Sequence, residues 1–238
     1  MRSLWRTIDR GTLRDIALVC LADAVVGASF GAITVSGGLD ASVPIVMSLL
    51  VFAGGAQFAA VGVLLAGGSA VAAVAAGLVL NARLLPFGFA IADVLGERWW
   101  TRLPGAHLMT DESVAFALRQ GDRPRRRAAF WICGVAVFAS WNLAVVIGAL
   151  AGRTVGDTGA LGLDAAFPAV LLALVLPALA DRGTRRGALL GAGIAAATTP
   201  FLPAGLPVLL SLAGLLPVAR SVTSAATATQ ADPAQEVR

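Results

Sequence analysis

"GLVLNARLLPFGFA", residues 77–90, decides how this chain is read. From Ser69 to Ala92 the only charged side chain is that of Arg83. Such a stretch is long enough to cross a bilayer core of roughly 30 Å, which takes about 20 helical residues. It also holds an amide at Asn81 and a proline at Pro86. An ionised group at the centre of a membrane helix costs about 2.5–3.5 kcal/mol on insertion scales, so Arg83 needs a partner or a wet cavity.

The rest of the chain follows the same pattern. Of 238 residues 58% are hydrophobic and 13% charged, with a mean hydropathy of +0.82. A soluble domain carries about 25% charged residues. Apolar segments occupy 16–36, 42–66, 69–95, 128–151, 163–180, 186–202 and 205–219. They predict an all-α polytopic membrane protein of about seven apolar segments, some broken or re-entrant. Residues 16–219 read as one membrane domain between a cytoplasmic lead, 1–15, and a tail, 220–238, of disordered composition. The last two segments are short for a span, and prolines crowd their junction, with Pro200 the expected break.

The 18 basic residues are all arginine, and apart from Arg83 they cluster at and between the ends of apolar segments rather than on a soluble face. That excludes a nucleic-acid partner and leaves the lipid bilayer as the surrounding medium. Cys20 and Cys133 lie in separate segments, His107 is alone, and no CxxC motif occurs, so no zinc site is predicted and no metal or cofactor is implied.

The connection 96–127 contains "RPRRR" at 123–127, which places it in the cytoplasm by the positive-inside rule. Within it "MTDESVAFALRQGD" predicts a short helix, with Thr110 as cap, Asp111 and Glu112 suiting its dipole, and Gly121 beyond its end. The N-terminal arginines also read as cytoplasmic, so residues 16–95 should cross an even number of times. Three apolar segments stand there. Either the N-terminus lies outside, or one segment enters and turns back, with "AGGAQ" at 53–57 and the Pro86 region as the expected irregularities and Gly55 as a break.

Asp23 and Arg83 are the two ionisable groups deepest in apolar segments. Arg83 is ten residues from Asp93, about 15 Å along a helix, so it is expected either to take Asp23 as counter-charge or to line a wet cavity. Asn81 and Arg83 face different ways in a regular helix and meet in one site only if the helix breaks at Pro86. Gln57, after two glycines, is a second buried amide, and Asn142 a third. An inert ion pair and amides that only bond neighbouring helices remain the alternative.

"SLLVFAGGAQFAAVGVL" (48–64), "LNARLLPFG" (80–88), "LMTDESVAFAL" (108–118), "SWNLAVVIGALAG" (140–152) and "FPAVLLALVLPAL" (167–179) together resemble the AzlC family, the large subunit of branched-chain amino-acid exporters. The resemblance covers about 16–219. It implies a permease of the bacterial cytoplasmic (inner) membrane, with no enzymatic activity. This permease exports leucine, isoleucine and valine, with methionine a further candidate, driven by the proton motive force. It also implies a small hydrophobic AzlD-type partner subunit, and leaves a higher oligomer open. Motif positions place substrate binding at Gly54, Gln57, Phe58, Asn81 and Arg83, and coupling or gating at Asp111 and Glu112, with Asp23 added as the intramembrane acid. Leu84 stands where the family often has histidine, and Phe87-Gly88 where many members have Tyr-Gly, so a proton relay at 84 is not available. The alternatives are a non-transporting structural subunit, or an exporter of a different small amphipathic solute.

Overall fold

The computed structural model describes residues 7–154, 172, 176, 178–202 and 206–215. Among these no strand occurs. Three helices are long and apolar enough to cross a membrane: Arg10–Ser36, Ala70–Ala90 with a kink inside it, and Arg123–Thr154. Most of the expected segment 163–180 and the tail lie outside the described residues, so the count of seven is not reproduced.

Helix α1 (Arg10–Ser36) starts inside the expected polar lead. Asp9 caps it, accepting from the Thr12 N–H at 2.9 Å and its hydroxyl at 2.7 Å, so residues 10–15 belong to the helix. The pairs α2 (Ser42–Leu50) and α3 (Gly54–Leu65), and α4 (Ala70–Asn81) and α5 (Leu84–Ala90), follow. The short α6 (Ala92–Leu95), α7 (Trp99–His107), α8 (Asp111–Leu118) and the long α9 (Arg123–Thr154) complete the main body. A further helix, Arg182–Thr198, ends just before Pro200, which lies in the turn after it, as expected of a break.

Helices α1 and α9 run parallel and set the frame. Gly27 lies against Trp141, Gly31 against Val145 and Ala149, Gly148 against Ala28, and Gly152 against Ala32. A Cβ at Gly31 or Gly148 would run into the facing backbone, so these glycines set how closely the helices approach. The parallel pairing puts the arginine-bearing N-termini of both helices on one side.

Distances along α9 then locate everything else. Helix α2 descends from the C-terminal end of α1. Ser48 Oγ donates to Asn142 Oδ1 at 2.6 Å, and the Phe52 ring meets Phe138 near the middle of α9, at 4.9 Å between centroids. There the chain reverses. Gly54 lies on Trp141, and Leu65 returns to the level of Gly37, at the end of α1. The α2–α3 pair is therefore a hairpin that turns back half-way along α9, the geometry expected of a re-entrant segment. The reversal falls at 51–53 rather than at Gly55. Phe52 takes φ +40, left-handed for a bulky residue, and holds it inside a buried aromatic cluster. Gly54 and Gly55 form the first turn of α3.

Helix α4 descends beside α3, with Ala73 and Ala76 packed on Ala60 and Val63. The expected break at Pro86 lies earlier, at Ala82–Arg83. Pro86 cannot donate to the Ala82 carbonyl, which instead accepts from Leu85 at 3.1 Å, tightening the turn. Proline then sits in the first turn of α5, where its missing N–H costs nothing.

The expected cytoplasmic loop 96–127 is a second hairpin. Helix α7 rises beside α9: Gly105 meets Trp131, Leu108 meets Gly134, and His107 reaches Phe138 at 5.6 Å and Phe52 at 6.0 Å. Helix α8 descends again, with Val114 and Ala117 packed with Phe130. A capping box fixes its start: Thr110 Oγ1 accepts from the Ser113 N–H, and Ser113 Oγ accepts from the Thr110 N–H. Arginines of α9 hold the far end. Arg126 reaches the Ala90 carbonyl at 3.0 Å and the Asp93 carboxylate at 3.2 Å, and Arg123 reaches the Asp93 carbonyl at 3.0 Å. "RPRRR" thus anchors the α5–α6 end as well as marking a side.

Candidate binding cavity

Both hairpin apices and the α4–α5 kink meet at the middle of α9 and enclose a cavity of about 540 Å³. That lies within the roughly 300–1,000 Å³ of small-molecule sites. Four charged groups line it: Asp23 from α1, Arg83 from the kink, and Asp111 and Glu112 from the start of α8. The outer apex contributes Phe52 and Gly54–Gly55, and apolar wall comes from Phe58, Met109, Val137 and Trp141.

Each charge is placed by a local feature of the sequence. Arg83 leaves the chain where the helix is interrupted, which turns its side chain inward. Asp111 and Glu112 are the first residues of α8, directly after the Thr110 cap, where the helix dipole favours carboxylates. The Arg83 guanidinium meets Asp111, Nη1 to Oδ2, at 2.9 Å. The expected counter-charge, Asp23, is not its ionic partner. The reason is geometric: the α7–α8 hairpin lifts the acids of a supposed loop to the level of the kink, where they reach the guanidinium.

Three polar atoms on this cavity's residues are buried with no hydrogen-bond partner among the described residues: Asp23 Oδ2, Asp111 Oδ1 and Trp141 Nε1. Buried polar atoms are nearly always paired, so three on one cavity suit a polar ligand. The donors are the guanidinium and an indole N–H, and the acceptors are carboxylates. A molecule bearing both an anionic and a cationic end and an apolar body matches that set.

Two expected site residues are not among those lining this cavity. Gln57 is fully buried, with both amide atoms unpaired, yet Gly54, Gly55, Phe58 and Ala59 are the residues of α3 on the cavity wall. Asn81 ends α4 half-buried, and Leu80, Arg83 and Leu84 line the cavity around it. The kink turns Arg83 inward without bringing Asn81 with it. Asn142 has the partner its burial requires, since its amide also donates to the Phe138 carbonyl at 2.9 Å.

Sequence reading missed Phe52 and Trp141. The signal for Trp141 was present, a tryptophan beside Asn142 in the middle of an apolar segment. It packs flat with Phe30, whose edge meets Phe58, and so joins α1, α3 and α9 behind the cavity.

A family profile described as AzlC protein matches residues 18–155, more than half of the chain. Two relatives, each named uncharacterized membrane protein, come from Helicobacter pylori strains 26695 and J99. They are 28% and 26% identical over 181 residues, 74% of this chain and 78% of each relative. No solved structure matches.

Proposed function

Because the chain belongs to the AzlC family, a family of membrane transport proteins, we propose that it is the large subunit of a secondary-active exporter. It moves leucine, isoleucine and valine, and methionine with them, out across the bacterial cytoplasmic membrane, together with a small hydrophobic AzlD-type subunit. The observation that carries this reading is the cavity at the meeting of two hairpin apices and a kinked span, lined by Arg83, by the carboxylates of Asp23, Asp111 and Glu112, and by an apolar wall. Interrupted helices near the midplane are a common way for transporters to build substrate sites. A zwitterion with an aliphatic side chain satisfies both poles and the wall at once. The outward faces of Leu18, Leu21, Val71, Val74 and Ile147 are apolar, as lipid contact requires.

The test is efflux of labelled leucine, isoleucine, valine and methionine from preloaded cells expressing this chain with and without the small subunit. The expected outcome is accelerated efflux that an uncoupler abolishes. Efflux unchanged with both subunits present sinks the proposal, and efflux indifferent to the uncoupler replaces it with a passive pore.

A further inference from the structure

We propose that Asp111 stands in for the substrate's carboxylate: an amino acid entering the cavity takes Arg83 from Asp111 and thereby unties the apex of the α7–α8 hairpin from the α4–α5 kink. This rests on the transport reading and assigns the ends of the substrate within it.

The ion pair is built to be exchanged. A guanidinium presents a planar fork that grips a carboxylate with two parallel bonds. Here Arg83 meets Oδ2 at 2.9 Å, while Oδ1 of the same carboxylate has no hydrogen-bond partner, so the fork is not filled. The side chains are 50% and 41% exposed on the cavity they line, so a solvent-filled cavity weakens the pair. A free carboxylate that occupies the whole fork competes well against such a partner.

The pair is also placed where its loss has consequences. Arg83 belongs to the kink of the α4–α5 span, and Asp111 to the first turn of α8, at the tip of the inner hairpin. The contact ties one to the other. Below the tip, Met109 and Phe87 of α5 pack on the buried cluster of Ile91, Val114, Ala117 and Phe130, so apolar packing holds the body of α8 and the ion pair is the charged tie at its start. Asp23 and Glu112 remain on the cavity for the ammonium end, and Asp23 Oδ2 is unpaired. The aliphatic body then faces Phe52, Phe58 and Val137.

The sign of a substitution separates this role from a merely structural one. Asp111→Asn removes the internal competitor while keeping shape and the Thr110 cap. With the full chain in nanodiscs beside its small subunit, titration calorimetry is expected to show leucine bound about two- to fivefold more tightly by Asp111→Asn than by the wild type, the range a half-exposed ion pair allows. Isopentylamine, the same body without a carboxylate, is expected to bind no more tightly. Asp111→Ser repeats the removal should the asparagine variant fold poorly, and Arg83→Lys is expected to lose most of the preference for leucine over the amine. If the wild type binds leucine and the variants bind it equally or less well, the stand-in role is overturned and the transport reading survives. If leucine binds to neither form, both are overturned.

Discussion

The two re-entrant hairpins have the same shape and opposite chemistry. The outer one, α2–α3, is mostly apolar and carries no charge, and its apex offers a ring and two glycines: Phe52, Gly54 and Gly55. The inner one, α7–α8, is polar enough to pass for a loop, and its apex offers a hydroxyl cap and two carboxylates: Thr110, Asp111 and Glu112. One supplies close approach and the other supplies charge. They meet on Arg83, whose guanidinium touches Asp111 and lies 3.6 Å from where a Gly55 Cβ would stand. A reversal at membrane depth is tolerated when protein covers it, so the two apices can cover one another and leave a cavity between them.

Removing the group on which both apices converge has the largest expected effect. Arg83→Gln is expected to leave protein abundance in the membrane normal and to lower efflux about tenfold or more, the loss of a charge-assisted contact. Arg83→Lys keeps the charge without the fork and is expected to fall between. Loss of protein from the membrane instead, measured by quantitative blotting, would turn the comparison into one of packing and favour a structural subunit.

The outer apex can be sharpened by two alanines. At Gly54 a Cβ would lie 3.0 Å from the Trp141 ring, whereas at Gly55 the nearest atom is the Arg83 guanidinium at 3.6 Å. Neither glycine has a positive φ, so backbone strain is not the issue. Gly54→Ala is expected to destabilise by about 1–3 kcal/mol, as overpacking does. Gly55→Ala is expected to be neutral or mildly stabilising. Melting midpoints in detergent read the difference, and equal shifts would show that Trp141 yields and does not set the apex.

These contrasts also show what was legible beforehand. Arg83 stands out in sequence because a lone charge in an apolar run is costly, and the α8 helix because its cap and first-turn acids are local signals. The irregularity between residues 16 and 95 follows from counting charges. The position of each break does not follow. Glycine and proline mark where a helix can be interrupted, yet the reversal falls on Phe52, held by rings from α7 and α9, and the kink falls four residues before Pro86, at the carbonyl it cannot serve. The α7–α8 hairpin was hidden for a related reason. Its residues are polar in composition, and tertiary contacts carry them to the level of the kink, the His107 ring against Phe52 and Phe138 and Leu108 against Gly134. That is why Asp23 looked like the partner of Arg83 and Asp111 did not. For Gln57, burial can be inferred from its neighbours, while the face of α3 it occupies depends on where the helix begins.

The inner apex has its own lever in the cap. Thr110→Ala removes the acceptor for the Ser113 N–H and is expected to cost about 1 kcal/mol. In a chain of this size that lowers the melting midpoint by roughly 2–4 °C. Efflux is expected to fall more than stability does, because the cap orients Asp111 and Glu112. A fall in stability with unchanged efflux would mean that the acids find their positions without it.

The smallest expected effect comes from acid, and it separates the cavity from the periphery. Away from the apices the carboxylates that hold chain turns are exposed. Asp9 is held below its ordinary value of 3.8 by the Thr12 hydroxyl and N–H. Asp40 is held down by bonds from Ser42, and Asp181 by the Thr184 N–H and side chain. A depressed carboxylate contributes stability above its unfolded value and loses it as pH falls through the folded one. The melting midpoint is therefore expected to be flat above about pH 5 and to slip as pH falls toward 2. Asp181→Ser keeps an N-cap oxygen but does not titrate, so it is expected to remove that helix's share of the slope and leave neutral-pH stability nearly unchanged. At the apices the Thr110 cap is uncharged, and α3 has no side-chain cap at all. Acid fraying mapped by hydrogen exchange should accordingly begin at Asp181 and the N-terminus of α1 and spare the capped turn of α8. Fraying that starts at α8 would show the inner apex to depend on its own carboxylates and the difference between the two hairpins to be one of stability as well as charge.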